Sequence, residues 1–382
     1  MSLSLEQTHI AFRHRPTYAE VCLDALRDNL SAIQRFVGPA RIMAVVKANG
    51  YGHGFEAVAK TVERAGAASL GVAYIEEALE LRRLGVSIPI LVFGGLLKDQ
   101  LDLYLQHDID VTASSVTKLE QIDEAASRFG RRARVHIKID TGLERIGVHH
   151  YSSSTLFEAA LRAKHSDVVG VYSHFADVRL DDLSLTRLQL ERFLECVRFY
   201  EDRAAGVFLR HIAGSGGMMA LRDTHLDMVR PGISLYGVYP GPGFESILPL
   251  KPVLQLKSQV VYFKVVKKGA GVSYGHIWTA PNDTRVVTIP LGYGDGYMRA
   301  MSNRAEVLIR GNRYPVIGAV CMDQLMVNIG TGEAFNGDEV VLIGEQKNAK
   351  ITVEELASAA QVSPYEVLVN LNQRIPRVFT GS

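Results

Sequence analysis

The sequence predicts an α/β chain: an N-terminal (β/α)8, TIM-like barrel over residues 14–240, then a C-terminal, mainly β domain over 241–382, with residues 1–13 open to packing beside the latter. Three observations predict it. Eight short apolar or β-branched runs alternate with segments of helical spacing, over a length that suits a barrel of about 250 residues. A stretch rich in Pro and Gly, YPGPGFESILPLKP (239–252), then breaks the pattern. Beyond it, strand-like runs follow one another too closely to leave room for crossover helices, which implies antiparallel pairing. A doubly wound open sheet would show the same alternation, and the count of eight favours the barrel.

In chain order the barrel strands are RIMAVV (41–46), SLGVA (69–73), PILVF (89–93), IDVTA (109–113), RVHIKI (134–139), VVGVYS (168–173), VFLRHI (207–212) and ISLYGV (233–238). Between them, FEAVAKTVERAG (55–66) places Phe55, Val58, Ala59 and Val62 on one helical face and ends at a glycine. IEEALELRRLG (75–85) and TRLQLERFLECVRFYEDRA (186–204) behave likewise. In the second domain the strands are LQLKSQVVYFKVV (254–266), RVVTIPLG (285–292), AEVLIRG (305–311), RYPVIGAV (313–320), QLMVNIG (324–330) and EVVLIG (339–344). Two short helices, VEELASAA (353–360) and PYEVLVNL (364–371), follow.

Composition narrows the function. The 382 residues are 47% hydrophobic and 22% charged, ordinary for a soluble globular protein. With 42 basic against 41 acidic side chains, no electrostatic footprint for nucleic acid or an anionic membrane is present. Three scattered cysteines, Cys22, Cys196 and Cys321, form no CxxC and read as reduced thiols. The N-terminus lacks a signal-peptide pattern and no apolar window is long enough to span a membrane, so the expected location is the cytoplasm.

In a barrel, function gathers at the C-terminal ends of the strands. Strand one ends at Lys47, within AVVKANGYGHG (44–54); on its own this is also what a solvated lysine and a turn would look like. Strand five runs into KIDTGLERIG (138–147) with Lys138, Asp140 and Arg145, and strand six ends at His174. Alternation points Lys138 the same way as Asp140, which suits a paired structural charge as well. Strand seven leads through His211 into AGSGG (213–217), where barrel phosphate sites form, and Arg230 precedes strand eight. His149 and His150 lack metal-ligand spacing, and no metal is expected. A rim lysine, a phosphate cradle and an arginine suggest a phosphate-bearing aldehyde cofactor, held as a Schiff base and tuned at its ring nitrogen.

Taken together and in order, AVVKANGYGHG, KIDTGLERIG, SHFA, VRPGISLYG, VSYG (272–275), LGYGDGYMR (291–299) and CMDQLM (321–326) resemble the alanine racemase family, enzymes that use pyridoxal 5'-phosphate. The likeness runs from RPTYAEVCLDAL (15–26) to QRIPRVF (373–379). It implies that Lys47 carries the cofactor, that Tyr51, Ser215, Gly232, Ile233 and Tyr365 hold its phosphate, and that His174 lies beside its ring. Arg230 matches the arginine facing the pyridine nitrogen. A guanidinium only donates, so that nitrogen stays unprotonated, which limits side reactions such as transamination. Racemisation needs proton transfer on both faces of Cα, and the family assigns these roles to Lys47 and Tyr274. Arg145, Met322, Asp323 and Tyr293 match substrate-binding positions, and the resemblance implies a homodimer with shared sites acting on a small amino acid. Lys138 occupies a position that is carbamylated in many relatives.

The chain departs from the family pattern at Ala319, where many relatives have arginine, at Leu143, commonly methionine, and at Gly214, often asparagine. None of these removes a catalytic group; they bear on access and on selection for small side chains. The competing readings are a racemase of broader specificity, a decarboxylase of basic amino acids on the same architecture, and a cofactor-binding regulatory protein. The decarboxylase needs no second base such as Tyr274, and the regulatory barrels usually lack the β-domain.

Overall fold

A computed structural model describes residues 15–204 and 206–381; the stretch 1–13 expected beside the second domain lies outside them. The chain divides into two compact units.

One unit comprises Leu26–Gly50 and Phe55–Leu250. Its centre is eight parallel strands: β1 (Arg41–Val45), β2 (Ser69–Val72), β3 (Ile90–Val92), β4 (Val111–Ala113), β5 (Ala133–Asp140), β6 (Ser166–Tyr172), β7 (Leu209–His211) and β8 (Met228–Val229). Ladders join β1 to β2, β2 to β3, β4 to β5, β5 to β6 and β6 to β7. Parallel bridges at Leu91 with Asp110 and at Gly214 with Arg230 join β3 to β4 and β7 to β8, and β8 pairs with β1. The ring therefore closes without a free edge. Helices Phe55–Arg64, Ile75–Arg83, Leu101–Gln106, Val116–Phe129, Ser153–Arg162 and Ser184–Glu201 follow the first six strands.

The strand expected at 233–238 is instead a 3-10 turn, Ile233–Tyr236, and the barrel is closed earlier, by β8. A fully buried apolar run reads alike as strand or helix when no polar face marks its period. Pro231 has no N–H for a ladder, and the Leu235 N–H donates back to Gly232 O at 2.9 Å. Arg230 thus follows the last strand rather than preceding it. Likewise β1 ends at Val45, two residues before Lys47.

The other unit gathers residues 15–25, Tyr51–Gly54 and 251–381. Its sheet runs in the order Tyr262–Val266, Thr284–Ile289, Leu325–Gly330, Asn312–Ile317, Glu306–Ile309, Glu339–Gln346, Leu254–Gln259, Tyr18–Cys22, Arg377–Thr380. The pairs are antiparallel except the last, where Tyr18–Cys22 and Arg377–Thr380 are parallel. The single run expected at 254–266 is two strands, Leu254–Gln259 and Tyr262–Val266. The second of these lies at the sheet edge with Val261, Tyr262, Phe263 and Val265 exposed. Val266, Val272, Ala280, Val286 and Ile317 form a small core that anchors the two-stranded ribbon Gly271–Val272 and Trp278–Thr279.

Candidate active site

Beyond Val45 the backbone turns left-handed: Ala48, Asn49 and Gly50 sit at φ 52°, 58° and 59°. For a residue with a side chain this conformation costs about 1–3 kcal/mol, so it persists only where the surroundings hold it. Glu77 does so. One of its oxygens accepts the Ala48 N–H at 2.7 Å, and the other accepts those of Ala73 at 2.8 Å and Tyr74 at 3.3 Å. Asn49 Oδ1 accepts the Phe55 N–H at 2.8 Å. Lys47 stands at the start of this turn, half-buried. Burial, and then the Arg145 charge, push its amine below the usual lysine range, with Glu77 opposing. The neutral amine, the form that attacks a carbonyl or accepts a proton, is correspondingly favoured.

Arg230 is only 4% exposed. Its Nη1 donates to His211 Nδ1 at 2.8 Å; its Nη2 donates to the carbonyls of Ser173 (2.6 Å) and Ile212 (2.8 Å) and to His174 Nδ1 (3.2 Å). Because a guanidinium only donates, both imidazoles must carry their proton on Nε2. His211 Nε2 then donates to His136 Nδ1 at 3.0 Å, and His136 Nε2 to Asp110 Oδ2 at 3.3 Å. Arg134 Nε closes the chain on Asp110 at 2.7 Å. An obligate donor at one end and an obligate acceptor at the other fix both tautomers. Burial brings Arg230 down to about 10, still cationic at neutral pH. Burial, and then Arg230, hold His174 and His211 well below the ordinary imidazole value. The Tyr172 ring stacks on His211, centroids 5.0 Å apart, and its hydroxyl, raised to about 12 by burial, lies 2.9 Å from Thr112 Oγ1, which itself donates to Val92 O at 2.7 Å.

Ser215 opens the short helix after β7. Its Oγ accepts the N–H groups of Gly232 (3.1 Å) and Ser234 (3.3 Å) and lies 2.9 Å from Ser234 Oγ. Ile233, fully buried, begins the adjoining turn. Backbone here leaves no room for side chains: a Cβ on Gly217 would lie 2.7 Å from the Phe175 ring, and one on Gly214 would lie 3.3 Å from His174. Two hydroxyls and two N–H groups converging in one place suit phosphate oxygens.

Lys138 is 3% exposed, its Nζ 4.6 Å from the Tyr172 ring centroid. Asp140 is already engaged, accepting the N–H groups of Gly142, Leu143, Glu144 and Arg145 at 2.8–3.1 Å. Burial, and then Arg230, push the Lys138 amine well below the lysine range. Arg145 itself is exposed, with its backbone held by Asp140.

In the second unit, Tyr274 is 72% exposed on the ribbon's turn. Ser273 before it sits at φ 64°, held by its Oγ donating to Ala319 O at 2.6 Å. The Tyr293 N–H donates to Cys321 O at 3.0 Å and the Gly294 N–H to Met322 O at 2.8 Å. Asp323 accepts from Arg374 Nη2 at 2.6 Å, and Arg374 Nε lies 3.3 Å from the buried Asp295. The Tyr51 and Tyr365 rings lie 6.0 Å apart, and burial raises the Tyr365 hydroxyl to about 12.

Residues 21–240 match the family described as alanine racemase, N-terminal domain, and residues 253–379 the alanine racemase C-terminal domain. The chain belongs to the alanine racemase family. It is 43% identical to an alanine racemase of Symbiobacterium thermophilum, over 96% of this chain and 98% of that one. Among solved structures, alanine racemase from a D-cycloserine-producing Streptomyces lavendulae superposes with a TM-score of 0.92 at 37% identity, covering 96% of this chain and 98% of that chain. Alanine racemase from Bartonella henselae, described with covalently bound pyridoxal phosphate, gives 0.87 at 27% identity, covering 96% and 99%.

For a member of this family, the barrel interior holds more chemistry than the sequence reading assigned. Sequence pattern alone marks no role for His136, Asp110 or His211, which the structure joins in one hydrogen-bonded chain. The period-2 rule that placed Lys138 with Asp140 also puts His136 on that face, a signal that was available. Asp110 lies inside the run IDVTA (109–113), where alternation sets it on one face with Thr112 but marks no role for it. Arg374 and Arg377 lie in QRIPRVF, which carried the resemblance without assigned roles.

Proposed function

We propose that this protein interconverts L-alanine and D-alanine with pyridoxal 5'-phosphate as cofactor, in the cytoplasm and as a homodimer with shared sites, supplying D-alanine for peptidoglycan. The residues fit the cofactor. The Ser215, Gly232 and Ile233 turn offers hydroxyl and N–H donors to a phosphate, and Arg230 is a cation that can face a pyridine nitrogen only as a donor. Tyr51 and Tyr365, whose rings lie 6.0 Å apart, would offer phenol donors to a phosphate. Lys47 would hold the aldehyde carbon, and His174, a neutral imidazole, would lie beside the ring. When bound, the cofactor supplies an electron sink that acidifies the substrate Cα–H.

Arg230 carries the reading: a guanidinium held by fixed donor bonds would leave a pyridine nitrogen facing it unprotonated, which would suit brief carbanion character and fast reprotonation. Lys47 and Tyr274 each take or return a proton, on opposite faces of Cα. Lys47 acts on the D face and Tyr274 on the L face. Arg145 fixes the substrate carboxylate, assisted by Met322, Asp323 and Tyr293. Lys138 adds carbon dioxide at its neutral amine, forming an N–C bond and releasing a proton; the resulting carbamate supplies an anion to Arg145. Labelled bicarbonate should give a carbamate resonance that disappears in Lys138→Met, and an identical resonance in both proteins would contradict this. The free thiols Cys22, Cys196 and Cys321 support the cytoplasmic location. Cell fractionation is the check.

The exposed edge strand, with Val261, Tyr262, Phe263 and Val265, and the exposed Tyr274 support a second copy as the occupant of that surface. No observation favours the decarboxylase or broad-specificity readings. Incubation of the protein with L-alanine, L-serine and L-lysine in separate deuterium-oxide reactions tests the assignment. Loss of optical rotation with deuterium at Cα is expected for alanine; carbon dioxide release, or a preference for serine or lysine, would contradict it.

A further inference from the structure

Arg377 begins the last strand of the second unit, and its guanidinium donates only to backbone carbonyls. Nε reaches Gly52 O at 2.9 Å, Nη1 reaches Asn372 O at 2.5 Å and Ile375 O at 2.6 Å, and Nη2 reaches Leu371 O. These acceptors lie on two segments distant in sequence. Gly52 follows Tyr51 in the Tyr51–Gly54 loop. Leu371, Asn372 and Ile375 follow the helix Pro364–Asn370, which carries Tyr365.

Two further contacts press the same loop into place. Gly52 sits at φ +81° where a Cβ would lie 2.3 Å from Leu368 O, and Gly54 at φ +108° where one would lie 2.7 Å from the Phe379 ring. The loop is thus fixed against the helix by backbone on one side and by Arg377 on the other. A planar fork spreads five N–H groups over three nitrogens and so reaches carbonyls on both segments at once, whereas an ammonium's three N–H groups all radiate from one nitrogen. The outcome is a set separation between two phenol rings, 6.0 Å between centroids.

We infer that Arg377 is a positioning residue for phosphate recognition: its guanidinium ties the Tyr51 loop to the Tyr365 helix and so sets the spacing of the two hydroxyls. The inference rests on the reading that these tyrosines hold the cofactor phosphate. Its substrate-side consequence is selectivity for the phosphorylated aldehyde over the same ring lacking phosphate.

The test uses the full chain, freed of cofactor and titrated with pyridoxal phosphate and with pyridoxal, which lacks the phosphate. Wild type, Arg377→Met and Arg377→Lys are compared, the last keeping a cation in the same place for a stable fold. In Arg377→Lys the affinity for pyridoxal phosphate should fall by about tenfold, with that for pyridoxal unchanged, so the ratio of the two falls. Adding Tyr51→Phe should then cost less than it does in wild type, because the hydroxyl is already misplaced. A merely structural role would lower both affinities together or neither, and an unchanged ratio would overturn the inference. Wild type that binds the two compounds equally would instead remove the phosphate reading on which it rests.

Discussion

At Arg230 two demands meet in one side chain. It must stay charged in a buried place, and it must present N–H groups with no acceptor. The first is met by four hydrogen-bonding partners, one of which, His211, begins a chain that ends on Asp110 and Arg134; the second is a property of guanidinium itself. Replacement by a carboxylate inverts both, since an acceptor facing the pyridine nitrogen stabilises its protonated form. Arg230→Glu should therefore lower racemisation by about 10²–10³-fold and raise pyruvate formed per racemisation event. A constant pyruvate ratio would show that the arginine does not set the nitrogen's protonation.

Among elements, the turn after β1 most clearly shows local structure bent to a purpose. Ala48 and Asn49 have left-handed backbones that their own side chains disfavour, and Glu77 from the helix Ile75–Arg83 holds the first of them. Glu77→Ala removes three accepted N–H bonds and should destabilise the protein by about 1–3 kcal/mol, read as a lower urea midpoint; an unchanged midpoint would mean the turn stands without it. Much of this level was legible. The alternation of strand and helix, the change of texture after residue 240 and the helices Val353–Ala360 and Pro364–Asn370 all follow from periodicity. Lys47, His174 and the AGSGG loop could be picked out as candidates because function in a barrel gathers at one rim. The eighth strand could not be placed, because ISLY is buried on every side and its period is hidden. The left-handed turn was also out of reach, since its cause is Glu77, remote in sequence. Nor could spacing alone reveal that Asp140 serves four backbone N–H groups and leaves Lys138 to its arginine neighbours.

For the molecule as a whole, buried imidazoles set the acid limit. Above about pH 6.5, His174 and His211 are neutral whether the chain is folded or not. As pH falls below that value the unfolded chain takes up a proton at each, while in the folded state burial and Arg230 keep both neutral. Stability must then fall with pH, by up to about 1.4 kcal/mol per pH unit for each histidine. His211→Gln should flatten the dependence between pH 6.5 and 5, and an equal slope in mutant and wild type would contradict this. At the same scale, charging the exposed sheet edge with Val265→Glu should shift the protein from dimer to monomer in sedimentation. A variant that stays dimeric at all concentrations would place the interface elsewhere.

On the proposed mechanism two bases, Lys47 and Tyr274, work on opposite faces of one carbon. The most direct test follows Cα–H exchange by proton NMR in deuterium oxide for the Tyr274→Phe holoenzyme, given L-alanine and D-alanine in turn. D-alanine should exchange its Cα proton with retention, through Lys47, while exchange from L-alanine falls by about 10²–10⁴-fold. Equal exchange from both enantiomers, or racemisation at the wild-type rate, would contradict the two-base account.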